Sequence, residues 1–164
     1  MPRSRSLATL VHVLAVAVGA AVALAPRPAH AQAPDLFFSE YTEGTSFNKA
    51  IEIYNATGAP VDLAAGQYLL QLYSNGAAAP TASVALSGIL ANGDVFVAAH
   101  PSANAAILAV ADLQDSSVVN WNGDDAIALR KGGAAGALVD VLGQIGLDPG
   151  TEWGAGLTST QDNT

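Results

Sequence analysis

A strand–turn–strand unit in residues 49–73 constrains the fold of this chain more than any other feature. In its first half Ile51 and Ile53 alternate with polar or amphipathic residues, the two-residue period of a strand with one buried face. A turn containing Gly and Pro follows, and then Leu70 and Leu72 alternate in the same way. The unit needs a second apolar surface to cover it.

The rest of the chain supplies more short apolar segments, separated by Gly-rich turns. Strands at such spacing predict an all-β sandwich. The predicted strands cover residues 36–43, 50–55, 61–63, 67–73, 84–86, 89–90, 95–99, 118–121, 126–131 and 138–145.

Three local predictions concern the second half of the chain. A short crossover helix is expected within residues 102–111, with Ser102 as its N-cap and an apolar face that includes Ile107 and Val110. A loop is expected at 112–117. The segment 118–121 is then expected to pair with the strand at 126–131 across an Asn-Gly turn.

Residues 1–31 have the pattern of a signal peptide: an Arg-containing start, a long Ala/Val/Leu run, a Pro break and an Ala-His-Ala cleavage site. The alternative is a membrane anchor, because the apolar run is long enough to span a bilayer. We expect cleavage, a lead-in at 32–35 and one domain at 36–164. The expected location is secreted, either extracellular or periplasmic, without membrane attachment after cleavage.

Charge and cysteine content restrict the partners. The chain has no cysteine, so the exported domain must be stable without disulfides. After residue 31 only three basic side chains remain against 14 acidic ones. Nucleic-acid binding by this domain alone is therefore not expected. A protein or cell-surface partner, or a divalent cation, fits better.

Further motifs flank the opening unit in a fixed order: Ser-Glu-Tyr at 39–41 precedes it, and Leu-Ser-Gly at 86–88, Gly-Asp-Val-Phe-Val at 93–97, Trp-Asn-Gly-Asp-Asp-Ala at 121–126, Gly-Gln-Ile-Gly at 143–146, Asp-Pro-Gly at 148–150 and Trp-Gly at 153–154 follow it. Together with residues 49–73 they resemble the lamin-tail domain. The motifs from 143 onward resemble its bacterial secreted version, which is attached to extracellular nucleases. In that version the segment resembling 162–164 continues into a further strand.

The resemblance implies an immunoglobulin-like β-sandwich with structural roles for Glu52 and Asn55. It implies a secreted, non-catalytic binding or targeting module, accessory to an extracellular enzyme. The alternative is the N-terminal part of a secreted metal-dependent nuclease whose catalytic domain lies beyond this chain.

Few side chains are candidates for catalysis, and none has a complete set of partners in the sequence. His100 can act as a metal ligand or general base, or as a strand-end residue bonded to backbone. Glu40 and Glu52 are expected on one sheet face, with Lys49 nearby to form an ordinary cross-strand pair. No nucleophile, phosphate-loop or zinc motif is present, so no enzyme activity is expected.

The densest oxygen-rich cluster consists of Asn122, Asp124 and Asp125, with Asn120, Asp112 and Asp115 close in sequence. Calcium takes six to eight oxygen ligands, so this turn is a candidate calcium site. The same residues also suit a tight turn bonded to its own backbone. A sparser acidic group contains Asp148, Glu152 and Asp162.

Overall fold

The computed structural model describes residues 32–160; the predicted signal peptide at 1–31 lies outside this range. The helix in the described part is α1 (Ala105–Leu108). The strands, in chain order, are β1 (Phe37–Glu43), β2 (Lys49–Tyr54), β3 (Val61–Asp62), β4 (Leu69–Tyr73), β5 (Ala82–Ala85), β6 (Ile89–Leu90), β7 (Val95–Ala99), β8 (Leu113–Gln114), β9 (Ala126–Lys131) and β10 (Ala137–Leu142).

Most of the strands form two four-stranded sheets. The first sheet has the order β1-β2-β7-β8, and the second has the order β10-β9-β4-β5. All neighbours are antiparallel except β7 and β8, which are parallel. The short strands β3 and β6 pair with each other. The predicted all-β sandwich is confirmed.

The core lies between the two sheets and uses the alternating residues of the sequence pattern. Ile51 and Ile53 point inward from β2, and Leu70 and Leu72 from β4; all four side chains are buried. Burying a large aliphatic side chain stabilises the fold by about 1.5–3 kcal/mol. The period-2 pattern therefore identified the inner faces of both central strands.

The predicted hairpin between 118–121 and 126–131 is wrong. Val118, Val119 and Trp121 are fully buried, but their backbone is not part of a strand. Instead β9 pairs with β10 on one side and with β4 on the other. The segment 118–121 fills the core without pairing with either sheet. Local periodicity cannot distinguish such a buried segment from a strand.

The predicted helix is shorter than expected and begins later. Its N-cap is Asn104 rather than Ser102, because the Asn104 side chain accepts hydrogen bonds from the backbone N–H groups of Ala106 and Ile107, both at 3.0 Å. The predicted loop at 112–117 contains β8, which extends the first sheet. No helix in the described range is long and apolar enough to cross a membrane.

The segment after β10 folds back onto the turn at 122–125. The Trp153 indole N–H donates to the Asp125 carbonyl oxygen at 2.9 Å, and the Trp153 backbone N–H contacts the Gly123 carbonyl at 3.2 Å. A Cβ at Gly143 would lie 2.6 Å from the indole nitrogen, and Gly143 has a φ of +77°. Trp153 therefore closes one end of the sandwich.

Candidate functional site

His100 has a structural environment at the end of β7. Its Nδ1 accepts a hydrogen bond from the Ser102 backbone N–H at 3.0 Å, and its ring stacks on Phe47 with 4.4 Å between ring centroids. Burial lowers the pKa of His100, and the nearby charge of Lys49 lowers it further, while Asp115 opposes the shift. Within residues 32–160 no carboxylate forms a hydrogen bond with this imidazole. The ring therefore lacks the orienting acid that a general base would use.

The candidate calcium residues lie together at one turn, but Asp125 is already engaged. One of its carboxylate oxygens accepts the Asn122 N–H at 2.7 Å, and the other accepts the Asn75 N–H at 2.8 Å. Burial raises the pKa of Asp125, although these two hydrogen bonds act in the opposite direction. Asp125 thus ties the turn at 122–125 to the 3-10 turn Ser74–Gly76.

The remaining residues of this cluster offer few free ligands. The Asn122 side chain is exposed, and Asp124 is partly buried with one carboxylate oxygen that lacks a hydrogen-bond partner in the described structure. Asp112 and Asp115 accept backbone N–H groups of their own neighbourhood. No group of three or more His, Asp or Glu side chains within 32–160 is arranged to hold a metal. Calcium at Asn122, Asp124 and Asp125 stays a prediction.

In the sparser acidic group, too, a carboxylate is engaged by a backbone N–H group. Asp148 accepts the Gly150 N–H at 2.7 Å, which closes a local turn. Glu152, next to Trp153 in the sequence, is partly buried, and Asp162 lies outside the described residues.

Asn55 has the structural role that the family resemblance implied: its amide donates to the carbonyls of Ala59 and Leu90, both at 2.9 Å.

A buried ion pair at the inner end of the first sheet was missed by the sequence analysis. Lys49 Nζ lies 3.1 Å from a Glu43 carboxylate oxygen, and both side chains are almost fully buried. The Tyr41 hydroxyl donates to the other oxygen of Glu43 at 2.9 Å, and burial raises the pKa of Tyr41. The sequence did contain a signal for this ion pair, because Glu43 and Lys49 flank the loop between β1 and β2. In the structure the two residues face each other across the strand pair.

This ion pair overturns the expected role of Lys49. Lys49 points to the inner face of β2, so it does not compensate Glu40 and Glu52. Those two glutamates lie directly opposite each other on the outer face, as predicted, with Val97 of β7 next in the same row. The Ser39 hydroxyl donates to one Glu52 oxygen at 2.6 Å.

A groove of about 140 Å³ runs beside this pair, and we call it the acidic groove. Glu40 and Glu52, which we call its rim, line the groove together with Thr42, Ala50, Ile51 and Val97 and with Ile107 and Val110, which we call its wall. Val110 is 63% exposed, although it is a large apolar side chain. The outer face of β1 is also open at Glu40, which is exposed, and that of β2 is partly open at Glu52.

A second groove, of about 230 Å³, lies at the other end of β7. Its lining includes Asp94, Asp112, Gly88 and Ile89. Asp112 accepts the Val97 N–H at 2.8 Å, and Asp94 accepts the N–H of Val95 at 3.0 Å. These carboxylates accept the N–H groups on the part of the β7 edge that β8 does not pair with.

The basic side chains of the described part are all engaged elsewhere. Residues 32–160 hold three of them against 13 acidic ones. Lys49 pairs with Glu43, and Lys131 Nζ lies 2.8 Å from an oxygen of Asp35. The Arg130 guanidinium bonds to Gln71, Tyr73 and a backbone carbonyl in the second sheet. None of these cations lies in the acidic groove.

Two packed sheets, a core built from their inner faces and a groove on one outer face define an immunoglobulin-like β-sandwich module. The family model of the Lamin Tail Domain matches residues 29–146, and the chain belongs to this family. A comparison with curated proteins finds no match. A comparison with solved structures also finds none.

Proposed function

We propose that this chain is an exported, non-catalytic binding module of the lamin-tail type, which contacts a protein or cell-surface partner outside the cytoplasm. The observation that carries the proposal is the Glu40–Glu52 pair beside the acidic groove. Like charges directly opposite in a sheet are destabilising, and none of the basic side chains in 32–160 relieves them. Features that oppose stability without local compensation are typical of functional sites.

The surroundings of the reactive side chains support binding rather than catalysis. His100, Glu43 and Asp125 each contact backbone or a neighbouring side chain in a way that stabilises the fold. A catalytic base needs a nucleophile within hydrogen-bond reach and a partner that orients it. The structural contacts of these three groups leave recognition as the better account of the domain.

A hydrolysis assay tests this proposal. Purified chain starting at Gln32 is incubated with double-stranded DNA in the presence of Mg²⁺ or Ca²⁺, alongside a His100→Ala variant. We expect no cleavage above the level of a mock preparation for either protein. Cleavage that the variant abolishes would show that the domain is an enzyme.

Export is part of the proposal and is supported by the pattern of residues 1–31. A fusion of these residues to a reporter enzyme is expected to reach the periplasm or medium, with a mature protein that starts at Gln32. N-terminal sequencing of the exported product checks the cleavage site. A membrane-bound product that retains its leader would favour the anchor instead.

We further propose an association with a secreted nuclease, as in the bacterial members that the motifs at 143–154 resemble. In this chain Trp153 of that segment packs on the turn at 122–125, so the motif belongs to the folded domain. Sequencing the genomic DNA beyond the codon of Thr164, and the neighbouring reading frames, tests the association. A nuclease domain in frame or in the adjacent gene supports it, and its absence from both would contradict it.

Calcium binding by Asn122, Asp124 and Asp125 is tested separately by thermal melting. A ligand that binds only the native state raises the melting temperature with its concentration. If calcium binds, millimolar Ca²⁺ raises the melting temperature of the wild type, and Asp124→Asn removes the rise. An unchanged melting temperature would eliminate this site.

A further inference from the structure

We propose that the acidic groove binds a protein segment in which a lysine or arginine is flanked by apolar residues. This inference rests on the proposed binding function, and it specifies the contact surface and the chemistry of the partner.

The size of the groove suits one long side chain. Its volume of about 140 Å³ is well below the roughly 300–1,000 Å³ of pockets for drug-sized ligands. A single side chain that projects from an extended segment fits such a space, with the rest of the segment lying across β1 and β2.

Glu52, on the rim of the groove, is held in position before any partner binds. The register of β1 shifts between Phe38 and Glu40, an irregularity that re-aims the side chains of a strand. At this point Ser39 donates to one oxygen of Glu52 at 2.6 Å. The other Glu52 oxygen and the Glu40 carboxylate form no hydrogen bond with residues 32–160, so two carboxylates face the groove with free acceptor positions.

The wall selects for a cation carried on an aliphatic stem. Ile107, Val110 and Val97 give the groove an apolar lining, and Glu40 and Glu52 add two carboxylates to it. Lysine and arginine combine a hydrocarbon stem with a charged end, so both surfaces are satisfied by one side chain. A hydrated metal ion gains nothing from the wall, and calcium would need more than two carboxylates.

The negative charge of the domain disfavours nucleic acids and anionic lipids as partners. With 13 acidic and three basic side chains, residues 32–160 repel the phosphates of nucleic acids and of anionic lipids. The same negative charge attracts a basic protein segment. On the outer face of the same two strands, Phe37 and Tyr54 form an edge-to-face aromatic pair with ring centroids 5.6 Å apart. This pair provides apolar contact for residues that neighbour the bound cation.

A peptide titration followed by amide NMR spectra of the chain from Gln32 tests the proposal. The probe is a capped nine-residue peptide that alternates leucine with lysine. Matched peptides carry glutamine or glutamate in place of every lysine. We expect saturable shifts of the amides of Ala50, Val97 and Ile107 with the lysine peptide, about fivefold to tenfold weaker binding of the glutamine peptide, and no binding of the glutamate peptide.

Variants distinguish the charge of the rim from the apolar wall. Glu40→Gln with Glu52→Gln is expected to weaken lysine-peptide binding about fivefold to tenfold and to reduce its salt dependence. Val110→Ser is expected to weaken it without changing the salt dependence. The matched controls are Glu152→Gln and Ile89→Ser, which make the same chemical changes outside the groove and are expected to leave binding unchanged.

Four outcomes would overturn the proposal. These are no shift with the lysine peptide, shifts that avoid the groove, groove shifts caused equally by Ca²⁺ alone, and groove shifts that appear on raising protein concentration without peptide. The last two would identify a cation site or a second copy of the chain. Each would leave the non-catalytic binding function standing, since the DNA hydrolysis assay tests that function independently.

Discussion

The outer faces of the two sheets differ in what covers them. On the second sheet Gln71 and Tyr73 point outward from β4, yet both are buried beneath other parts of the chain. On the first sheet Glu40 is exposed and Glu52 is partly exposed. Both faces carry polar side chains at alternate strand positions, and only one of them is closed.

The closed face is organised by a single cation. Arg130 Nε donates to the Gln71 side-chain oxygen at 2.7 Å, its Nη2 donates to the Tyr73 hydroxyl at 3.1 Å, and its Nη1 donates to the Gly136 carbonyl at 3.0 Å. A buried polar group is tolerated when it is hydrogen-bonded, and this network satisfies three. The open face has two carboxylates and, within the described residues, no equivalent cation. The chain thus completes one outer face by itself and leaves the other open, which is the face where we propose that a partner binds.

The largest expected effect comes from the inner side of the first sheet. Lys49→Met leaves Glu43 buried without its counter-charge, and breaking a buried ion pair in this way costs about 3–5 kcal/mol. Urea denaturation monitored by Trp fluorescence measures the loss. Glu52→Gln, on the opposite face of the same strand, serves as the control and is expected to cause no loss. Equal destabilisation by both variants would contradict the assignment of the two faces.

Arg130→Leu is expected to open the closed face of the second sheet. Gln71 and Tyr73 would remain buried while losing a charged donor, at a cost of about 2–4 kcal/mol. Lys131→Leu, at the next position, removes a half-exposed pair with Asp35 and is expected to cost at most about 1 kcal/mol. The free energy of unfolding of both variants measures the difference. A loss for Arg130→Leu no greater than that for Lys131→Leu would show that the network is not what closes this face.

The contrast between the two faces also marks what the sequence can predict. The period-2 pattern identified Ile51, Ile53, Leu70 and Leu72 as inner residues, because alternation depends only on neighbouring positions. The pattern of a strand with one buried face would leave the alternate residue Gln71 exposed, whereas Gln71 points outward and is buried. Its cover includes Arg130, 59 residues away in the sequence, and local patterns do not record such contacts.

The candidate site shows the same limit. The sequence placed Glu40 and Glu52 on one face, and their direct opposition follows from the hairpin register. The groove needs Ile107 and Val110, which come from the helix segment more than 50 residues further along. The predicted strand at 118–121 failed for a related reason: a fully buried non-strand segment and a buried strand have the same composition.

His100 provides a pH-dependent comparison at the inner end of the first sheet, beside Lys49. Its pKa is lowered from the ordinary value of 6.5 in the folded state, so the fold favours the neutral ring. Its contribution to stability is fully present above pH 6.5 and is lost as the pH falls through the lower folded pKa. His100→Asn keeps an acceptor near the Ser102 N–H but does not titrate.

We therefore expect the wild type to lose more stability than His100→Asn when the pH falls from about 7.5 to about 5. Denaturant midpoints at several pH values measure the difference between the two proteins. Taking that difference removes the contribution of Asp125, whose raised pKa acts with the opposite sign. Parallel pH profiles for the two proteins would contradict the buried, neutral state of His100.

The smallest expected effect has the opposite sign and lies on the open face. Glu40→Gln removes one charge of a like-charged cross-strand pair, so we expect it to stabilise the isolated domain by about 0.2–1 kcal/mol. Glu152→Gln makes the same substitution away from this face and is expected to be neutral within about 0.5 kcal/mol. Thermal melting at low and high salt measures both, and the gain from Glu40→Gln should shrink as salt screens the repulsion. A variant that is less stable than the wild type at low salt would mean that Glu40 contributes to the fold, and the open face would then lack the uncompensated charge that marks it as a binding surface.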